Sequence, residues 1–499
     1  MIKKILFIPF FILISISIFL FPSAGSFGNN PDQEQRIWVE QWGKIGSLPN
    51  PRSSFGALTN GPFVYILGGT DNYAFLNTVI MSQVTPDGSL KPWNPQPSLN
   101  IKRAFSGTLI HNNHMYVVGG GKGPENEDLL DSIERAKINE DGTLGKWALE
   151  KNRLNFPSRC KKLSQHNGYI YSVGGWTGTT VDTVERAKIN EDGSLGEWII
   201  ESEIMNSGRY IHSIFENKNY LYALAGHDVA SGKGLSSMEY AMFNQDGSMS
   251  KWLLASPLPY GVFGQSVKKV GDHIYLFGGR VGEKNELTKS VIRGTLDKNQ
   301  PGNIGWSKMA STKNVLEHLG ALHIGDRMYL LGGRNPRGAR KDIYSAEISS
   351  NGSLGIWISP KRYQAQQANS AGLKKSRSNN IKEAQKYFSK AVGLDNTYWD
   401  GYLNLGSSYI LMGNYDKAIS ILEDVLQRNP TFEDGYLLMA VAYDNKKDIG
   451  KALKYIELAI DNGVGDVMLF YNHPGFRNSK KDPRFEPLMK KKLKGRFIH

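Results

Sequence analysis

The sequence predicts a multidomain β + α protein, a radial array of short antiparallel strands followed by a short α-solenoid, and three observations carry that reading. A tyrosine, two residues and a small pair recur six times: Tyr65 with Gly68-Gly69, Tyr116 with Gly119-Gly120, Tyr171 with Gly174-Gly175, Tyr222 with Ala225-Gly226, Tyr275 with Gly278-Gly279 and Tyr329 with Gly332-Gly333. Each is answered by a tryptophan, Trp93, Trp147, Trp198, Trp252, Trp306 and Trp357, at spacings of 54, 51, 54, 54 and 51 residues, a period that marks repeated sheets. After Trp357 the glycine pairs stop, Lys and Ala rise, and apolar residues recur with helical period from about Gln364.

The chain opens with Lys3 and Lys4, an apolar run from Ile5 to Phe21, and the small residues Ser23, Ala24 and Gly25. That order is a secretory signal over residues 1–25, which places the mature protein in the periplasm or outside the cell. A retained N-terminal anchor is the alternative, since the run borders on a membrane span. Cys160 is the single cysteine of the 499 residues, so no internal disulfide and no cysteine-rich zinc site forms.

Residues 36–360 parse into six units of four strands. In the third, Arg159 opens a strand that turns at His166–Gly168, YIYSVGG follows, TVERAKI returns, and the turn Asp192–Gly196 leads to Trp198. Asn-Gly and Asp-Gly are hairpin turns because Gly and Asn readily take positive φ. Trp38 and Trp42 precede the first unit in what reads as a surplus outer strand, competing with the strand of Trp357 for the edge of the sixth unit.

The Tyr-x-x-Gly-Gly…Trp pattern over 36–360 resembles the kelch repeat. The resemblance implies a six-bladed β-propeller of kelch type in which the first strand of each blade lines a central channel. It leaves function open, since such propellers include binding modules, oxidases and sugar-acting enzymes.

In an antiparallel blade the start of the first strand and the end of the second share one face. Arg52, Arg103, Arg159 and Arg209 open the first strands of units one to four, with Val262 and Leu316 at the matching position of units five and six. Thr70, Gly121, Trp176, His227, Arg280 and Arg334 follow the small pairs and differ from unit to unit, as a binding face on a repeated scaffold would. The candidate ligand-binding set is therefore Arg52, Arg103, Arg159, Arg209, Trp176, His227, Arg280 and Arg334. Arginine forks suit carboxylates, phosphates or sulfates, and Trp176 suits a sugar ring or an apolar side chain. The competing reading makes each arginine a fastener, bonded to a loop carbonyl or to an acid such as Asp131, Asp182 or Glu185. The loop Arg334–Lys341 and the acidic loop of Glu125, Glu127 and Asp128 are unit-specific insertions that read as solvated segments.

No catalytic constellation stands out, and no cofactor or metal is expected. A copper-radical oxidase of the kelch-like class would need two histidines, two tyrosines and a cysteine cross-link, and Cys160, His227 and His318 do not supply that set. An enzyme similar to the kelch-like sialic acid epimerases is the runner-up, with Glu317-His318 beside Arg209 and His212 as its acid/base cluster. Neighbouring residues on a strand face opposite ways, so Glu317 and His318 reach the channel together only if the strand is broken. The aspartate-glycine turns lack the oxygen ligands of a calcium loop.

Residues 364–466 carry three thirty-four-residue repeats. The second has Tyr402, Leu405, Gly406, Tyr409, Ala418, Leu422 and Pro430; the third has Tyr436, Met439, Ala440, Tyr443, Ala452, Ile456 and Ala459; the first, weaker, has Gly372, Ala384, Phe388 and Ala391. These resemble tetratricopeptide repeats, which implies a concave groove for a peptide, with Asn404, Ser408 and Leu411 as the residues reaching into it. Residues 467–499 read as a capping helix started by Asp482-Pro483 and a basic tail.

The net charge of +13 is uneven: from Lys361 onward 23 basic residues face 15 acidic ones. The tail suits anionic lipid headgroups or an acidic partner, or simply a helix C-terminus. Basic residues without interleaved aromatics exclude nucleic acid. The sequence thus predicts an exported, non-enzymatic interaction protein with a protein or peptide partner in the helical groove and a protein, carbohydrate or other anionic ligand on one propeller face.

Overall fold

The computed structural model describes residues 36–462, 464 and 468–493. The expected signal run lies outside them, and among them no helix is long and apolar enough to cross a membrane. The chain divides into a sheet unit, 41–355, and a helical unit that begins at Ile356 and includes 36–40.

Each repeat of the sheet unit is an antiparallel meander. In the third, Lys162–His166, Tyr169–Val173, Val184–Lys188 and Ile199–Ile200 pair in that order, and the first, second, fourth and fifth repeats follow suit. The first strands, Gly56–Asn60, Gly107–His111, Lys162–His166, Ser213–Asn217, Ser266–Val270 and Gly320–Ile324, each lie beside those of the repeats before and after, and the sixth lies beside the first.

Both conspicuous motifs are contacts between successive repeats. All six tyrosines are at most 1% exposed, and each hydroxyl donates to a carbonyl in the next repeat's outer turn. The pairs are Tyr65 to Gly142 at 2.6 Å, Tyr116 to Gly193 at 2.6 Å, Tyr171 to Gly247 at 2.7 Å, Tyr222 to Pro301 at 2.9 Å, Tyr275 to Gly352 at 2.9 Å and Tyr329 back to Gly88 at 3.1 Å. The second residue of each small pair donates its N–H to the next repeat's opening segment, from Gly69 to Arg103 at 2.8 Å through to Gly333 to Arg52 at 2.8 Å. At the first residue of the pair a Cβ on Gly68 or Gly278 would meet that segment's carbonyl oxygen at 2.3 or 2.2 Å, at positive φ besides, whereas repeat four holds Ala225 in this place.

The rivalry at the sixth repeat ends in a shared edge. Gly43–Arg52 pairs with Gly338–Ile348 from Ser345 to Arg340, while Leu354–Ile358 takes its end at Glu347 and Ile348. Ile37–Val39 lies outside the latter, with Trp38 edge-on to Trp357 at 5.3 Å. The Arg334–Lys341 insertion is a hairpin rather than a loose loop: Arg334 pairs with Ala339, and Arg340 is buried beside Asp342.

The helical unit holds three helix pairs: α1 (Pro360–Arg377) with α2 (Ile381–Leu394), α3 (Trp399–Leu411) with α4 (Tyr415–Arg428), and α5 (Glu433–Asn445) with α6 (Ile449–Asp461). α1 starts at Pro360, four residues ahead of Gln364, because Ser359 caps it through the Arg362 N–H and proline fits the first turn. Small residues sit where the helices meet; a Cβ on Gly372 would lie 2.6 Å from the Phe388 ring. Phe470, Phe476, Phe485 and Met489 cap α5 and α6, and the helix expected after Asp482-Pro483 is α8 (Phe485–Leu493), following α7 (Met468–Asn472). Two lysines of the basic tail are engaged by α6: Lys491 with Glu457 at 3.3 Å and Lys492 with Asp461 at 2.5 Å.

Candidate binding face

Each first strand is preceded by a residue in the left-handed region: Ser54, Phe105, Cys160, Ile211, Gly264 and His318, with φ from 52° to 70°. Their backbones bond in sequence, Phe105 N–H to Ser54 O at 2.9 Å, Cys160 to Phe105 at 2.6 Å, Gly264 to Ile211 at 3.2 Å, His318 to Gly264 at 2.8 Å and Ser54 to His318 at 3.0 Å. The residue before each forms an antiparallel bridge with the residue after the small pair. These bridges are Ser53 with Thr70, Ala104 with Gly121, Arg159 with Trp176, Tyr210 with His227, Phe263 with Arg280 and Glu317 with Arg334.

This register corrects part of the expected site. Arg52, Arg103 and Arg209 sit one place earlier than the bridge and are 4%, 1% and 0% exposed. Arg209 donates to the carbonyls of Ala225 at 2.8 Å and Ser237 at 3.0 Å, to Ser237 Oγ at 2.8 Å and to Glu239 Oε1 at 2.7 Å. Arg103 repeats the pattern with Gly119, Ser132 and Glu134, and Arg52 bonds Gly68 O, Thr78 O and Thr78 Oγ1. Multiply bonded and shut off from solvent, these three are fasteners, not ligand contacts. Burial pulls the Arg103 and Arg209 pKa values down, against the opposing pull of Glu134 and Glu239.

Arg159 is displaced by one position from the other arginines. Ser158 occupies the fastener place and Lys161, paired with buried Glu185 at 3.0 Å, supplies the charge. Arg159 is thereby free of the sheet, donating to Pro124 O at 3.2 Å with its guanidinium 6.0 Å from the Phe105 ring centroid.

The bridge residues of repeats three to five form an aromatic shelf. Ring centroids are 5.1 Å apart for Trp176 and Tyr210, 5.4 Å for Tyr210 and His227, and 4.5 Å for His227 and Phe263. Trp176 Nε1 donates to Asn126 Oδ1 at 3.0 Å, which anchors the acidic insertion of repeat two beside it. In repeats five and six Arg280 grips both Glu317 oxygens at 2.7 Å, with Arg334 across the bridge from Glu317. Burial works to raise the Glu317 pKa, but the Arg280 bonds and the charges of Arg280 and Arg334 hold it below the ordinary value. Burial takes His318 down to about 4 against the pull of Glu317, so its imidazole is uncharged at neutral pH. The left-handed break at His318 lets it lie 3.7 Å from Glu317, although the two are sequence neighbours. Arg209 and His212 do not join them: both are fully buried, and His212 is held neutral by burial and by Lys162, Arg209 and Lys161.

Tyr210, Phe105 and Phe263 were missed in the sequence. Counting one residue past each opening arginine of repeats two and four would have found the bridge row.

In the helical unit Asn404 reaches across from α3 to Asn369 of α1 at 2.9 Å and is half-buried, and Leu411 is 39% exposed. Ser408 is buried with its hydroxyl on Leu405 O at 2.6 Å, so it braces α3 instead of facing a peptide.

A tetratricopeptide repeat model matches residues 377–430 and 409–466. The chain is similar to alpha-scruin of Limulus polyphemus, 23% identical over 166 residues, 30% of this chain and 16% of that protein. It is also similar to kelch repeat and BTB domain-containing protein 1 of horsepox virus, 26% identical over 36% of this chain and 30% of that one. A third relative is kelch-like protein 40 of Xenopus laevis, 24% identical over 29% and 22% respectively. The matches therefore span less than a third of each relative's length. The solved "Structure of YjhT" is covered over 99% of its length and 63% of this chain, at 15% identity and a TM-score of 0.49. The chain thus joins kelch repeats to C-terminal tetratricopeptide repeats, two kinds of repeat that serve as protein-interaction scaffolds.

Proposed function

We propose that the six kelch repeats are the blades of a closed six-bladed propeller and that the protein is an exported, non-enzymatic scaffold with two binding surfaces. The propeller takes an anionic ligand, an acidic protein segment or a carbohydrate acid, on the face of the bridge row; the helical array takes an extended peptide along α1, α3 and α5, with Asn404 bonding its backbone. The return of the tyrosine contacts from Tyr329 to Gly88 supports closure. The single observation carrying the first surface is the bridge row itself. On a framework whose tyrosines and small pairs repeat, its bridged pairs differ from unit to unit, setting the Trp176–Tyr210–His227 shelf among Arg159, Arg280 and Arg334.

Cross-linking of the full chain to its captured partners, read by mass spectrometry, tests this reading. Cross-links are expected around the 159–176–280–334 face and around α3, with Trp176→Ala/Arg280→Gln losing the first set only. Cross-links confined to other surfaces would refute it. Export is tested by the N-terminus of the native protein, expected near residue 26; a retained Ile2 or Lys3 would favour the anchored form.

A further inference from the structure

The fourth residue past the fastener position is where each first strand crowds the next repeat. It is Gly56, Gly107, Ser213, Ser266 and Gly320 in five repeats. A Cβ on Gly56 would come 2.4 Å from Thr108, on Gly107 2.6 Å from Leu163, and on Gly320 2.8 Å from Phe55. Ser213 and Ser266 bond the next repeat directly, to Gln265 at 3.3 Å and to Leu319 O at 2.5 Å. In repeat three the position is Lys162.

Its charge acts on Cys160, on His212 and on His318. The first strands of repeats three and six are not neighbours, because each is flanked by the strands before and after it in sequence. Lys162 therefore acts on His318 across the space that the first strands surround. Of the other cations of this neighbourhood, Lys161 has Glu185 at 3.0 Å, Arg209 has Glu239 at 2.7 Å, and Arg280 has Glu317 at 2.7 Å, while Arg159 donates to Pro124 O at 3.2 Å. Lys162 has no acid within ion-pair distance among the described residues, and burial depresses its pKa. A half-buried ammonium with no acid beside it is costly, and a chain that kept the position small elsewhere gains nothing in packing from it.

We propose that Lys162 is the floor of an oxyanion subsite, holding the carboxylate or phosphate group of a ligand that enters past Arg159 and Arg280, with His318 across from it. The proposal rests on the reading that this face takes an anionic ligand, and adds the residue that neutralises it. Lysine suits such a place as a compact point charge with three donors, indifferent to whether the oxyanion is planar or tetrahedral.

The test uses the full chain with two probes, inorganic phosphate and sodium acetate, at constant ionic strength, followed by titration calorimetry and thermal unfolding. Wild type and Lys162→Arg bind at least one probe and melt higher with it. Lys162→Met binds it at least tenfold more weakly, and melts above wild type in probe-free buffer because an unpaired charge has gone. Acetate alone marks a carboxylate ligand; phosphate alone marks a phosphorylated one. Lys162→Gln serves as a second neutral replacement should the methionine variant fail to fold. Equal binding by wild type and both neutral variants, or no binding of either probe to wild type, overturns the subsite. Neither result touches the face cross-links, and loss of those cross-links with probe binding intact overturns only the wider reading.

Discussion

Replacing Arg209 with methionine separates a fastener from a ligand contact. The guanidinium is 0% exposed and makes five hydrogen bonds of 2.7 to 3.0 Å, two of them to Glu239 Oε1. Methionine keeps most of the volume and removes every donor. Glu239, itself 0% exposed, is then left with only the Asn206 N–H and amide at 2.6 and 2.8 Å. Stranding one partner of a buried pair costs about 3–5 kcal/mol, and the orphaned carbonyls of Ala225 and Ser237 add to it. Urea unfolding followed by tryptophan fluorescence reads the loss in the sheet unit's transition, since Asn206 also ties this network to Trp252 O at 3.2 Å. Adding Glu239→Gln removes the stranded charge and should recover roughly half of the loss. A loss below about 1 kcal/mol for Arg209→Met, or a weakened ligand with unchanged stability, would refute the fastener assignment.

Three further outcomes follow from the same geometry. His318 has a folded pKa of about 4; the unfolded chain binds its proton first, so stability falls as pH drops from about 6.5 to 4, by about 3 kcal/mol, and His318→Gln should flatten that part of the pH profile. Burial pushes the Cys160 thiol up to about 11, so at pH 8 a disulfide reagent should label it no faster than the sheet unit opens. Gly372→Leu drives a side chain into the Phe388 ring and should lower the helical transition, read by circular dichroism at 222 nm, by about 1–3 kcal/mol while sparing the sheet unit.

The repeats and their strands were legible because tyrosine, glycine pair and Asp-Gly turn are local signatures with a fixed period. That the tyrosine of one repeat bonds the turn of the next was not, since 77 residues separate Tyr65 from Gly142 and nothing local reports the match. The fastener arginines were visible as a recurring residue type, but burial decides between fastener and ligand contact, and burial at a strand's entry depends on neighbouring repeats. Arg159 was misaligned because the true marker of register is the left-handed residue, which is glycine only at Gly264 and otherwise Ser, Phe, Cys, Ile or His. Lys161 takes over the charge in that repeat. The helical repeats were readable from the spacing of small and aromatic residues. Ser408 was misjudged because a helix serine can spend its hydroxyl on its own backbone. The Ser359-Pro360 start of α1 went unread, although a serine cap followed by proline is a start signal.

The tyrosine contact has a bearing on how such a chain grows. Every period carries one hydroxyl donor on its second strand and one acceptor turn before its fourth, so a duplicated or deleted stretch of 51 or 54 residues adds or removes both together. Whichever repeats become neighbours after the genetic event already hold the two halves of the contact. Bonding between repeats therefore places no limit on their number; the limit lies in the angle between successive sheets, set by bulk, where the glycine pairs keep the next repeat's opening segment close. Drift in that bulk, more than loss of any hydrogen bond, is what would let a lineage with this design change its repeat count.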